Sequence, residues 1–313
     1  MVAVLARRVL MAIPILVIVS VVMFVLASIV PGDQARTILG ENATPQAVAA
    51  LREQLGLNLP LSQQYLNWAW GALRGDFGAS IYSGQSVLTI VGARFPVTGS
   101  LMLLATILIA VLGGILGMLS ALRGGWIGRV LDAASLVGLA VPSFAIAILL
   151  VSVFAVSVRI FPATGYVPFS DNPAGWLWAL ILPVIALSLG GVTLVAKQMR
   201  DSVLDALSRD YVRMMRANGI PERSIIFRHV LKNASIPSIT IVGVGAVASL
   251  TSTVFVENVF VLPGLGTLAT QSTLNHDLPV LLGLGVFFTM MVILINLVVD
   301  VMYGVLNPKV RIS

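Results

Sequence analysis

Long apolar runs alternate with short polar ones along this chain, and that alternation sets the elements. Six stretches of at least 22 residues contain no Asp, Glu, Lys or Arg. They lie between Arg8 and Asp33, Arg94 and Arg123, Asp132 and Arg159, Asp171 and Lys197, Lys232 and Glu257, and Asp277 and Asp300. A helix needs about 20 apolar residues to cross a bilayer. Each stretch therefore predicts a spanning helix, at about 9–30, 97–122, 132–158, 176–196, 236–256 and 280–299. Two further uncharged runs, 54–73 and 258–276, carry too many Asn, Gln, Pro and Gly residues to span as helices.

The polar intervals have their own punctuation. Pro14 falls in the first turns of the first span, where proline is tolerated, and Pro31-Gly32-Asp33 ends it. In 32–95, Thr44-Pro45 reads as N-cap and first residue of a helix ending at Gly56, with Val48, Leu51 and Leu55 on one face. Pro60 opens a second helix, with Leu66, Trp70 and Leu73 in register, before a turn at residues 75–78. This segment touches an external partner, sits over the pore, or caps the span ends with Trp68 and Trp70 at the membrane interface.

Gly113 and Gly117 in the second span form a close-packing pair, and residues 123–129 read as a short inside turn. Pro142 predicts a kink in the third span, facing a cavity or packed against protein. The fourth span carries Gly190, Gly191 and Thr193, and the fifth carries Gly243 and Gly245. Residues 243–248, GVGAVA, mimic a dinucleotide fingerprint, but no strand precedes them, so helix packing is expected. Residues 257–279 form an external hairpin with a short helix after Pro263-Gly264. Asp300 falls near the inner end of the last span, as a solvated helix-end carboxylate.

Composition fixes the class. The 313 residues are 58% hydrophobic and 10% charged, against about 25% charged in a soluble domain. The chain reads as an all-α polytopic membrane protein. Of its Lys and Arg residues, 14 fall on one side of the six spans and 5 on the other. The positive-inside rule then puts both termini in the cytoplasm (N-in/C-in). The first apolar run is longer than a signal-peptide core and has no A-x-A site after it, so an uncleaved anchor is expected. The organisation follows: 1–31, first span; 32–95, extracytoplasmic helical segment; 96–306, five-helix core with cytoplasmic loop 197–236 and hairpin 257–279; 307–313, cytoplasmic tail.

Catalytic chemistry has little to work with. Cysteine is absent, which excludes disulfides and thiolates. None of Lys197, Lys232 and Lys309 follows glycine, so no P-loop lysine is present. His229 and His276 fall on opposite sides of the membrane. Asp201 and Asp205, flanked by Arg200 and Arg209, read as a solvated ion-pair face. No catalytic residue, metal site or cofactor is expected, and no nucleic-acid partner.

The one long basic stretch is 197–236. Ser208 reads as the cap of a helix carrying Tyr211, Val212, Met214 and Met215 as an apolar stripe. Gly219 reads as its stop, Pro221 as the first residue of the next helix, and Ile225, Ile226 and Phe227 as its continuation. Such a loop lies on anionic lipid or docks into a protein groove. The ordered stop and restart, with two methionines, favour docking.

Residues 211–219, YVRMMRANG, and 228–237, RHVLKNASIP, resemble the cytoplasmic loop of ATP-binding-cassette (ABC) importer permeases of the dipeptide/oligopeptide (nickel) branch. PGD at 31–33, residues 55–78, VPSF at 141–144 and residues 257–283 agree. In place of the general Glu-Ala-Ala pattern stands Arg213-Met214-Met215, and Pro237 lies 18 residues after Gly219, a departure typical of the peptide branch. The resemblance implies a type I ABC importer permease fold and a non-catalytic permease subunit in a bacterial or archaeal inner membrane. It implies pairing with a second homologous permease, two ABC ATPase subunits and an extracytoplasmic solute-binding protein. Tyr211, Arg213, Met214, Met215, Arg216, Ala217, Gly219, Ile220 and Pro221 would couple to the ATPase. Pro142, Ser249, Thr251, Ser252, Thr253, Glu257 and Asn258 are the candidate path residues, with ordinary helix packing the alternative for each small polar one. Di- or oligopeptides are the expected substrate, with nickel or another small solute as alternatives. An ion-coupled secondary transporter would need mid-depth acids that the spans lack.

Overall fold

The computed structural model describes residues 2–29, 34–40, 42–123 and 125–306. These residues are helical apart from turns and one isolated antiparallel bridge, Ala79 to Ser86. In chain order the helices are α1 (Val2–Ile29), α2 (Gln34–Leu39), α3 (Pro45–Gln54), α4 (Leu61–Leu73), α5 (Val87–Arg123), α6 (Gly125–Ala140), α7 (Ser143–Leu150), α8 (Pro173–Ser208), α9 (Asp210–Ala217), α10 (Glu222–Ser224), α11 (Leu231–Val259), α12 (Leu265–Leu274) and α13 (Leu278–Leu306). A π-helical turn, Val151–Ser157, continues α7, and another, Ile225–Val230, joins α10 to α11.

Among the described residues, five helices are long and apolar enough to cross a membrane: Leu10–Ile29, Val87–Arg123, Pro173–Ser208, Glu222–Val259 and Leu278–Gly304. The expected third span departs from a single helix. Pro142 is extended, with φ −63° and ψ 142°, and breaks the helix between α6 and α7. A proline has no N–H to give and disfavours helical geometry in the residue before it. Its carbonyl starts the next helix, accepting from the Ala145 and Ile146 amides.

Other expectations shift in the same way. α1 begins at Val2, so Pro14 lies in its interior rather than its first turns. α5 starts ten residues before the predicted span, because Arg94 and Pro96 sit inside the helix instead of ending it. The turn expected at 123–129 is largely the start of α6; Gly124 lies outside the described residues, as do Pro31-Gly32-Asp33 and the tail 307–313. Thr44 caps α3 as expected, its Oγ1 accepting from the Ala47 amide, and Pro45 is the first helical residue.

The chain forms two compact units. One comprises Val2–Thr98 and Pro263–Ile293. Its core joins Val87 and Val91 of α5 to Leu265 and Leu268 of α12 and Val280 and Leu284 of α13. The Thr98 hydroxyl accepts the Leu265 amide at 2.8 Å, satisfying a donor that the start of α12 otherwise leaves open. Asp277, 4% exposed, accepts from the Ser80 hydroxyl at 2.5 Å and from the Ile81 amide at 3.2 Å. That buried carboxylate fastens the 78–86 loop to the turn before α13.

The other unit comprises Gly99–Leu262 and, of the described residues, 294–306. Here the predicted close-packing glycines are used as such. A Cβ on Gly113 would fall 2.7 Å from the Val195 Cβ, and one on Gly117 would overlap the Ala196 carbonyl oxygen. α5 and α8 therefore meet almost backbone to backbone. Gly243 of α11 is closed off by Val299 of α13, 2.6 Å from the Cβ it lacks. Dispersion contacts over such surfaces are what hold helices together where lipid offers no hydrophobic contrast.

Candidate functional site

α8 does not stop where its apolar run stops. It continues through Lys197 to Ser208, and the return helix runs unbroken from Glu222 into α11. The basic stretch is therefore mostly the ends of two long helices, with α9 between them. Arg209, extended at φ −68° and ψ 148°, makes the first corner. The Ser208 hydroxyl does not cap α9. It donates back to the Asp205 carbonyl at 2.8 Å as the last residue of α8, so the expected cap is corrected to an uncapped start at Arg209.

The second corner is built as a Schellman turn. The Gly219 amide donates to the Arg216 carbonyl (3.0 Å) and the Ile220 amide to the Met215 carbonyl (3.1 Å). Gly219 has φ +75°, the left-handed region that glycine enters without penalty. Pro221 then precedes the return helix as its N-cap, one position earlier than predicted.

α9 is held firmly. Val212, Ile225 and Val230 are fully buried with Met199, Val203, Ala206 and Ala234, and Tyr211, Met215 and Ile220 pack against them. The Asn233 amide donates to the Tyr211 hydroxyl at 3.2 Å. The predicted apolar stripe is thus divided. Tyr211, Val212 and Met215 face inward, whereas Met214 is 66% exposed. At 100° per residue, Met214 cannot share the side of the helix that Val212 buries.

The outer surface carries Arg213, Met214, Arg216, Ala217 and Gly219, all exposed. Arg213 lies 3.4 Å from Asp210, and Arg209 pairs with Asp205 at 2.7 Å. Arg216 makes two bonds to Glu222 across the turn, at 2.5 and 3.0 Å, and that hydrogen bonding raises its guanidinium pKa further. Glu222 was not singled out by sequence. Its signal is the spacing: six residues from Arg216, across a Gly-Ile-Pro turn that folds the chain back. Beside the turn, Pro221, Arg223, Ser224 and Phe227 line a shallow hollow.

The candidate path residues do not form one surface. Ser249 and Thr253 are buried, and their hydroxyls donate to the Gly245 and Leu250 carbonyls of their own helix. Glu257 is fully buried near the end of α11. Thr251, Asn258 and Pro142 are exposed, and Ser252 is half-buried. Phe144 meets Phe255 with ring centroids 6.2 Å apart, so the helix that follows Pro142 lies against α11.

Residues 113–312 match the family model for the binding-protein-dependent transport system inner membrane component, and residues 1–102 match the N-terminal model of such membrane components. A Brucella abortus (strain 2308) protein named as a peptide transport system permease is 38% identical over 312 residues, 99% of each chain. A Sinorhizobium fredii protein named as a peptide ABC transporter permease is 38% identical over 306 residues, 97% of this chain and 98% of its own. The glutathione transport system permease protein of Salmonella choleraesuis is 36% identical over 307 residues, 97% of each. With both models matched and relatives aligned end to end, the chain belongs to the family of binding-protein-dependent transport system inner membrane components, multi-pass permeases of ABC importers.

Proposed function

We propose that the chain is one permease subunit of an ABC importer for di- or oligopeptides, driven through α9 by separate ATPase chains. The observation that carries the reading is the construction of α9. A short helix is locked by a buried cluster to the ends of two long helices, both continuous with membrane-length apolar segments. A push on its exposed face is therefore delivered to α8 and α11 rather than lost in a loose loop. Met214 and Phe227 (66% and 56% exposed) offer apolar contacts to a partner groove, and the Arg216–Glu222 pair braces the turn between them.

In this reading α6 and α7 together make a sixth, broken span, both termini are cytoplasmic, and 32–95 and 257–279 lie outside. A homologous permease completes the pathway, two ATPase subunits bind the cytoplasmic face, and a binding protein delivers solute. Peptide is preferred over nickel because the relatives' names are for peptide and glutathione transport, glutathione itself being a peptide.

The test is Gly219→Trp. No atom lies within 4 Å of a Cβ at Gly219, so the added ring projects outward from the turn. The variant is expected to insert and co-purify with its partner permease while peptide uptake and peptide-stimulated ATP hydrolysis fall to background. Normal uptake would refute docking through α9. Uptake blocked by an uncoupler but insensitive to vanadate would instead indicate an ion-driven carrier.

A further inference from the structure

We propose that α4 is an interfacial helix, with its outward face immersed in the leaflet where α1 ends. One face of α4 is packed on α1: the Tyr65 and Ser20 hydroxyls are 2.9 Å apart, and the Tyr65 ring meets Phe24 edge-on at 5.5 Å. The depth of that contact is fixed by α1. Its apolar segment Leu10–Ile29 has 20 residues, about 30 Å of helix, enough to cross the hydrocarbon. Phe24 and Ser20 lie five and nine residues before Ile29, so α4 touches the span roughly 7–14 Å inside its end. This is acyl-chain depth, not the aqueous phase.

The opposite face of α4 is divided lengthwise. Leu66, Trp70 and Leu73 are 63%, 60% and 81% exposed and fall within an arc of roughly 60°. Gln63, Asn67 and Arg74, also exposed, occupy the adjoining arc. No charged residue occurs within α4. The first charge after it, Arg74, lies over the Trp70 ring at 4.7 Å, a long cation laid along an aromatic as at a headgroup boundary. A three-residue apolar strip beside a polar strip, with Trp and Arg at its edge, is the chemistry of a phospholipid interface. On α1 itself, Ile15, Ile18, Val22 and Leu26 are exposed on the side away from Ser20 and Phe24.

The absence of cysteine makes the proposal testable in the full chain. Leu66→Cys, Leu73→Cys, Gln63→Cys and Asn67→Cys, each labelled with a polarity-sensitive fluorophore, are reconstituted with co-purifying subunits into phosphatidylethanolamine–phosphatidylglycerol vesicles. All four positions are exposed, so the substitutions leave the core intact. Positions 66 and 73 are expected to be quenched several-fold more by lipids bearing a nitroxide high on the acyl chain than positions 63 and 67, and iodide should reverse the order. Equal iodide quenching at all four positions would show a water-facing helix and overturn the proposal. Shielding of 66 and 73 from both quenchers would overturn it too, because a protein would then cover the face.

Discussion

Replacing Gly219 with alanine isolates the backbone contribution to the α9 turn. With φ +75° and nothing within 4 Å of a Cβ, the added methyl group meets no steric obstacle and its whole cost is conformational. Holding an L-residue in the left-handed region costs about 1–2 kcal/mol. That corresponds to about a 5–30-fold rise in the population of the opened turn. The amides that report it are those of Gly219 and Ile220, bonded to the Arg216 and Met215 carbonyls. Hydrogen exchange of the full chain in nanodiscs, read by mass spectrometry on peptides covering 210–222, should accelerate by that factor, while peptides from 176–196 stay unchanged. Gly219→Asn should recover most of the protection, since asparagine visits the left-handed region far more readily than alanine. Exchange in the alanine variant at the wild-type rate, or an asparagine variant no better protected than alanine, would refute the assignment of Gly219 as a left-handed stop.

Three further outcomes are expected. Gly117→Ala should lower the melting temperature in detergent through overpacking of about 1–3 kcal/mol, because its Cβ collides with the Ala196 carbonyl; Gly114→Ala, whose nearest neighbour is the Met199 Cε at 3.9 Å, should not. Asp277→Ala leaves the Ser80 hydroxyl and Ile81 amide without their acceptor; a loss of about 1.5–3 kcal/mol should appear as faster proteolysis within 78–86, and an unchanged cleavage rate would count against the clasp. Val261 is a β-branched residue at φ +52°, so Val261→Gly should raise thermal stability by about 1 kcal/mol, read as an upward shift of the unfolding midpoint.

The sequence by itself determined what depends on neighbours along the chain. Charge-free length marks a membrane segment, because the cost of placing a charge in hydrocarbon does not depend on fold. Thr44-Pro45 and the Gly219 stop were legible because caps are satisfied within a few residues. The Gly113–Gly117 pair was legible as a close-packing surface, though not as one made for α8. Tertiary structure alone decided whatever depends on distant partners. Ser80 and Asp277 are 197 residues apart and their bond leaves no periodic trace. Met214 and Met215 are chemically alike, and only the cluster around Val212 turns one inward and the other out. Ser249 and Thr253 were open to path or packing on sequence, and only the structure shows them buried with their hydroxyls on their own helix carbonyls. Leu66, Trp70 and Leu73 were read from periodicity as one face of an amphipathic helix. That this face turns away from the protein follows only from Tyr65 engaging α1, because a helical repeat fixes which residues share a side but not what that side meets.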